Sequence, residues 1–84
     1  MYEVRLENPA KKFLKKINEQ DQIRIIKKFR ELEKNPKIGK PLVGKLAGLW
    51  SLRFGKYRAL YQIKRDELLI LVLDLGHRKN IYKN

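Results

Sequence analysis

Hydrophobic and polar residues recur with two different periods along this chain, dividing it into a helical first part and a stranded second part. Residues 2–6, Tyr2-Glu3-Val4-Arg5-Leu6, are apolar at every second position, the period of a strand with one buried face. Asn8-Pro9 reads as a helix start, with Asn8 as the cap and Pro9 at the first helical position, where no backbone donor is needed. Ala10, Phe13, Leu14 and Ile17 then fall at i, i+3, i+4 and i+7, while Lys11, Lys12, Lys15 and Lys16 take the other side. Asp21 is the expected cap of a second helix with Ile23, Ile26, Phe29 and Leu32 on its inner stripe. Asn35-Pro36 ends that helix, because the residue before a proline is driven out of helical backbone.

Residues 35–48 hold Pro36, Pro41, Gly39, Gly44 and Gly48 without periodicity, which predicts a loop. Alternation then returns. Trp50, Leu52 and Phe54 share one face of a strand over 49–54, opposite Ser51 and Arg53, and Gly55-Lys56 is the turn. Tyr57, Ala59, Tyr61 and Ile63 share one face of the next strand over 57–64, opposite Arg58, Leu60, Gln62 and Lys64. Arg65-Asp66 turns the chain into a nearly continuous apolar run over 68–75, suited to a central strand covered on both faces. Gly76-His77 breaks it, and 78–82 forms a short closing segment. The order βααββββ predicts one α+β domain over residues 1–84, two helices packed on a mostly antiparallel sheet of four to five strands.

With 84 residues the chain has room for one domain, and its hydrophobic fraction of 43% is enough for a core rather than a disordered basic tail. It has no cysteine and one histidine, so disulfide frameworks, thiolate metal sites and histidine pairs are excluded. The longest apolar stretch, 68–73, is far short of the roughly 20 residues of a membrane helix, and residues 1–5 lack the pattern of a secretory signal. The expectation is a cytoplasmic protein with no membrane association.

Charge changes the picture most. There are 21 Lys and Arg against 9 Asp and Glu, a formal charge of +12 that points to a polyanion, nucleic acid first. The helices mix signs, so their lysines read as a solvated face. Residues 34–65 contain Lys34, Lys37, Lys40, Lys45, Arg53, Lys56, Arg58, Lys64 and Arg65 and no acid, and the end of the chain adds Arg78, Lys79 and Lys83. A one-sign region on a sheet and its loop attracts phosphate. Arg53 and Arg58 are the more specific candidates, because a strand holds a guanidinium with little freedom and its planar fork matches phosphate oxygens in pairs. Without a ligand, the same arginines would simply solvate the outer face of a half-buried sheet.

Trp50-Ser51-Leu52-Arg53-Phe54-Gly55-Lys56-Tyr57-Arg58-Ala59-Leu60-Tyr61 resembles the strand–turn–strand signature of the RelE/ParE toxin superfamily. Leu75-Gly76-His77-Arg78 with Tyr82 resembles its closing motif, and Asn35-Pro36 with Leu42-Val43-Gly44-Lys45-Leu46 fits its loop between helices and sheet. The resemblance covers essentially the whole chain and implies a RelE-like microbial ribonuclease fold. It further implies a ribosome-dependent endoribonuclease that cuts messenger RNA, held inactive by a cognate antitoxin, acidic and helical, that wraps it. Carried over position by position, the site is Arg53, Arg58, Arg78 and Tyr82, with Lys45, Lys56, Lys79 and Lys83 as RNA-binding candidates. Ser51 stands where some RelE-like members have lysine.

Cleavage of this kind needs the RNA's own 2′-hydroxyl deprotonated and aligned, and the phosphorane charge stabilised. It calls for no metal and no cofactor, and the scattered acids suggest no metal cluster. Arg58 and Arg78 would hold the scissile phosphate, Arg53 would add potential, and Tyr82 would act as acid–base residue or stacking platform. Tyr82 has a plainer alternative as an aromatic that pins the last strand. His77, the one side chain that ordinarily titrates near neutrality, is an acid–base candidate, although it follows a glycine at a strand end, where histidines often serve only the turn. The same superfamily also implies a ParE-like reading, inhibition of DNA gyrase without nuclease activity, and a third reading is a catalytically weak nucleic-acid-binding domain.

Overall fold

The computed structural model describes residues 1–77. Strand β1 (Glu3–Leu6) leads into helices α1 (Asn8–Lys16) and α2 (Glu19–Lys34), followed by β2 (Lys40–Pro41), β3 (Trp50–Phe54), β4 (Tyr57–Lys64) and β5 (Leu69–His77), with short 3₁₀ turns at Pro36–Ile38, Gly44–Leu46 and Arg65–Glu67. The sheet order is β1-β5-β4-β3-β2. All neighbours are antiparallel except β1 and β5, which run parallel with Glu3 opposite Leu69 and Leu6 opposite Val72. The α+β class and the order βααββββ therefore hold, but the strands are not all the expected ones. One of the four later strands is β2, inside the segment expected to be loop, while the closing segment 78–82 lies outside the described residues.

Helix α1 buries Ala10 and packs Phe13, Leu14 and Ile17 against the core, as the spacing predicts. Its cap position is Glu7, not Asn8, and no side chain caps it; Asn8 and Pro9 form the first turn, where proline's missing donor goes unneeded. Two residues past the end of α1, Asn18, rather than Asp21, caps α2: its Oδ1 accepts from the Asp21 backbone N–H at 2.9 Å. The buried stripe of α2 is Asp21, Ile25, Phe29 and Leu32, and the expected inner residues Ile23 and Ile26 are 49% and 43% exposed. The reason is geometric. At 3.6 residues per turn, steps of three fall short of a full turn, and over nine residues the deficit puts Ile23 about 180° from Leu32. Steps of four, four and three keep residues 21, 25, 29 and 32 on one line.

The helices cover the sheet face that carries Leu52, Tyr57, Ala59, Tyr61, Ile70, Val72 and Leu75, all buried. An irregularity in register between Leu60 and Tyr61 pairs Leu60 with Asp74 and Tyr61 with Val72, a bulge that increases local twist. The exposed edge of β1 is blunted from α2: Tyr2 N–H donates to the Glu33 carbonyl at 3.2 Å and Val4 N–H to Glu33 Oε2 at 3.3 Å. Edge strand β2 is anchored by Tyr61. The Tyr61 hydroxyl donates to the Pro36 carbonyl at 2.7 Å and accepts from Gly39 N–H at 3.2 Å. Tyr61 itself is fully buried and stacks on Trp50, its partner across the strands, with ring centroids 6.2 Å apart.

Candidate nucleic-acid interface

The β3–β4 hairpin decides where the basic side chains stand. Gly55 takes φ +58°, a conformation that costs glycine little, and with Lys56 it makes a two-residue turn that pairs Phe54 with Tyr57. The register then places Arg53 directly opposite Arg58. Because side chains alternate, both arginines stand on the sheet face away from the helices, where Ser51 also points, while Leu52, Tyr57 and Ala59 go into the core. Like charges directly opposite each other destabilise a strand pair. This pair is kept nonetheless, at a cleft of about 360 Å³ lined by Ile38, Gly39, Lys40, Leu42, Ser51, Leu52, Arg53 and Arg58. Among the described residues, no carboxylate lines it. Asp74 lies on the same face, opposite Leu60, and its Oδ1 accepts from the Leu75 backbone N–H at 2.8 Å. Arg53 is exposed and Arg58 half-buried, so Arg58 is the more firmly held of the two.

The other expected residues are distributed differently. Lys45 lies exposed in the turn Gly44–Leu46, outside the set that lines the cleft. Lys56 turns to the helix side, its Nζ 3.9 Å from Asp21 Oδ2 and 5.5 Å from the centre of the Tyr57 ring. His77 pairs with Tyr57 across the strands and so shares its face, not that of Arg58. Its ring packs edge-on to Phe13 at 5.8 Å and tilted on Tyr57 at 5.5 Å. Arg78, Lys79, Tyr82 and Lys83 lie outside the described residues. Lys40 also lines this cleft and is not among the residues expected from the sequence. Its position in the acid-free stretch was visible, but a two-residue strand leaves no periodicity to reveal its pairing.

On the helix side of the same hairpin a second cavity of about 370 Å³ is lined by Asp21, Arg24, Ile25, Phe54, Gly55, Lys56 and Tyr57. Here the Tyr57 hydroxyl donates to Asp21 Oδ2 at 2.5 Å, and Asn18 Nδ2 donates to the same oxygen at 3.2 Å. Tyr57's hydrogen bond, aided by Asn18, Lys56 and Arg24 and opposed by burial, holds the Asp21 carboxyl below its usual range. The same bond, with burial and the charge of Asp21, pushes Tyr57 up to about 12. This bond ties the start of α2 to the start of β4, next to Arg58.

The signs give a stability profile. A depressed carboxyl contributes stability at neutral pH that is lost on acidification through its folded-state value. A raised phenol contributes stability that is complete below its unfolded value near 10 and is lost as pH rises towards about 12. Tyr57→Phe should be less stable than the parent at pH 7, and the difference should shrink above pH 10, in urea melts run as matched pairs across pH. A gap that stays constant up to pH 12 would show that the bond does not couple to the titration of Tyr57.

Comparisons with known proteins agree with this fold. A family model described as the ParE toxin of the type II toxin–antitoxin system, parDE, matches residues 4–82. Toxin RelG of Mycobacterium tuberculosis (strain ATCC 25618 / H37Rv) is 34% identical over 84 residues, 98% of this chain and 97% of that protein. Among solved structures, the toxin–antitoxin complex RelBE2 from Mycobacterium tuberculosis contains a chain that superposes with TM-score 0.84 at 34% identity, covering 92% of this chain and 98% of that one. The isolated RelE toxin of E. coli superposes with TM-score 0.78 at 20% identity, covering 92% and 84%, a likeness of fold. With its two helices on a five-stranded mixed sheet, the chain belongs to the RelE/ParE superfamily of type II toxin–antitoxin toxins.

Proposed function

We propose that the protein is a ribosome-dependent endoribonuclease that cuts messenger RNA. The observation that supports this reading is the cross-strand pair Arg53–Arg58 at a cleft that no carboxylate among the described residues lines. Two opposed guanidinium groups on rigid strands suit a group carrying spread negative charge, such as a phosphodiester passing through a phosphorane. In the step itself the 2′-hydroxyl oxygen bonds to the adjacent phosphorus and the bond from phosphorus to the 5′ oxygen breaks. The products are a 2′,3′-cyclic phosphate and a 5′-hydroxyl. One proton leaves the 2′ oxygen and one reaches the 5′ oxygen. Arg58 and Arg78 hold the phosphate in this scheme, Arg53 adds potential, and Tyr82 handles a proton or stacks on a base. The raised Tyr57 is not that group, being turned to the helix side and bonded to Asp21.

The partner on this reading is a cognate antitoxin, an acidic helical segment that wraps the toxin. Exposed Ile23 and Ile26 on the outer face of α2, with Lys27 and Arg30 beside them, suit an acidic amphipathic chain. The site of action is then the cytoplasm, where messages are translated.

The ParE description of the family model favours a second reading, inhibition of DNA gyrase through protein contacts. A toeprint of translating ribosomes, run beside a gyrase supercoiling assay, separates the two. Cuts in the ribosome-bound message with supercoiling intact are expected. Arrested supercoiling with an uncut message would replace the nuclease reading by the second one, and neither effect would leave a binding domain without activity.

A further inference from the structure

Strand β2 is only two residues long, yet it brings a third strand to the cleft. In an antiparallel pair, residues directly opposite each other share a face, with Cβ atoms about 4.5–5.5 Å apart. Lys40 is opposite Ser51, Ser51 is two positions before Arg53 on β3, and Arg53 is opposite Arg58. Lys40, Arg53 and Arg58, from three neighbouring strands, therefore stand on one face and line one cleft. Ser51 is short and uncharged, so it leaves room beside Lys40. Lys40 is exposed, and none of the ion pairs found among the described residues involves it.

The backbone around Lys40 is closely fitted. A Cβ on Gly39 would lie 2.5 Å from the Ser51 carbonyl oxygen and 2.7 Å from the Tyr61 hydroxyl, so only glycine lets this strand come so near β3. The Tyr61 hydroxyl accepts from Gly39 N–H, and the two-residue ladder ends at Pro41, opposite Trp50. A long flexible side chain is thus carried on a backbone fixed at the rim of the cleft.

We propose that Lys40 is a phosphate-binding residue of this cleft, adding a cation to Arg53 and Arg58, and that Gly39 is the positioning residue that seats it. The proposal rests on the reading that the cleft takes an RNA backbone. Lysine binds phosphate as a point charge on a mobile stem, so Lys40 suits a phosphate flanking the one gripped by the arginines.

Binding is to be followed on the full chain with a short single-stranded RNA whose 2′-hydroxyls are replaced by hydrogen so that it cannot be cut, by fluorescence anisotropy across a salt series. Each phosphate contact on a single strand contributes about 0.7 to the slope of log affinity against log salt. Lys40→Gln should lower the slope by about one such contact, Lys40→Arg should keep it, and Lys12→Gln, on the exposed face of α1, should leave it unchanged. Gly39→Ala, checked for folding by urea melt, should lower it as Lys40→Gln does. An unaltered slope in Lys40→Gln overturns the assignment of Lys40, and an unaltered slope in folded Gly39→Ala overturns that of Gly39. Cleavage of ribosome-bound message by the parent protein is measured alongside. A lowered slope without parental cleavage keeps Lys40 and removes the nuclease; an unchanged slope with cleavage does the reverse. A parent that shows no salt-dependent RNA binding removes the Lys40 proposal outright.

Discussion

Arg58→Ala should lower single-turnover cleavage of ribosome-bound message by about 10²- to 10³-fold, the usual cost of removing one preorganised group that stabilises transition-state charge. Arg58 is singled out by its position. It is half-buried near the start of the eight-residue β4, with β3 on one side and β5 on the other, so its guanidinium is aimed before substrate arrives. Arg53, across from it on β3, is exposed, and Arg53→Ala should cost less. Arg58→Lys should recover part of the rate, because it keeps the charge and loses the two-pronged contact. Substrate affinity in Arg58→Ala should fall far less than the rate. Parental rates in a folded Arg58→Ala protein would remove the arginine pair as the basis of the nuclease reading. Parental rates in Arg78→Ala and Tyr82→Phe would remove those two residues from it.

The largest effect on stability is expected at Tyr61. Truncating a buried aromatic to alanine typically costs about 3–5 kcal/mol, a large share of the roughly 5–15 kcal/mol that holds a domain folded. Tyr61 is fully buried, stacks on Trp50, and joins the sheet to the segment before β2 through the Pro36 carbonyl and Gly39 N–H. Burial also raises its hydroxyl above the ordinary phenol range, against the opposing pull of the Gly39 hydrogen bond. Tyr61→Phe separates the two contributions. It keeps the ring and strands the Pro36 and Gly39 groups, which should cost about 1–3 kcal/mol. Urea unfolding of both variants measures these losses. A Tyr61→Phe protein as stable as the parent would show that the segment is held by other contacts, and the seating of Lys40 would then have to be explained without the hydroxyl.

How much of this could be read from the residues depended on the range of the interactions. Helix α1 was plain because four lysines face four apolar residues at helical spacing, and the β3–β4 hairpin was plain because Trp50 to Ile63 alternate around one glycine turn. Stripe residues Phe29 and Leu32 of α2 were right, but Ile23 and Ile26 were misplaced. Hydrophobicity alone favours them over Asp21, whose burial depends on a tyrosine 36 positions away. Asp21 resembled a cap because a short carboxylate suits that position, and Asn18, three residues earlier, holds it instead. Strand β2 could not be read at all, since two residues have no period, and Lys40 was missed with it. Arg53 and Arg58 were legible as a pair because a two-residue turn fixes their register. Lys56 and His77 look equivalent to them in a list of basic residues, yet they face the helices: the pairing with Tyr57 places His77 there, and the approach to Asp21 places Lys56. The expected roles of Arg78 and Tyr82 fall on residues outside the described chain.

The parallel pairing of β1 with β5 also bears on how the protein is made. Glu3 finds its partner Leu69 only after 66 further positions (3 to 69) have been synthesised, and the two strands cannot be joined by a local turn. Ordering contacts so far apart is slow, because loop-closure entropy is lost before the contacts repay it. The hairpin carrying Arg53 and Arg58 is local and can close early, whereas the sheet that stiffens it waits for β5 to emerge. A nascent chain therefore carries its cations before it can aim them.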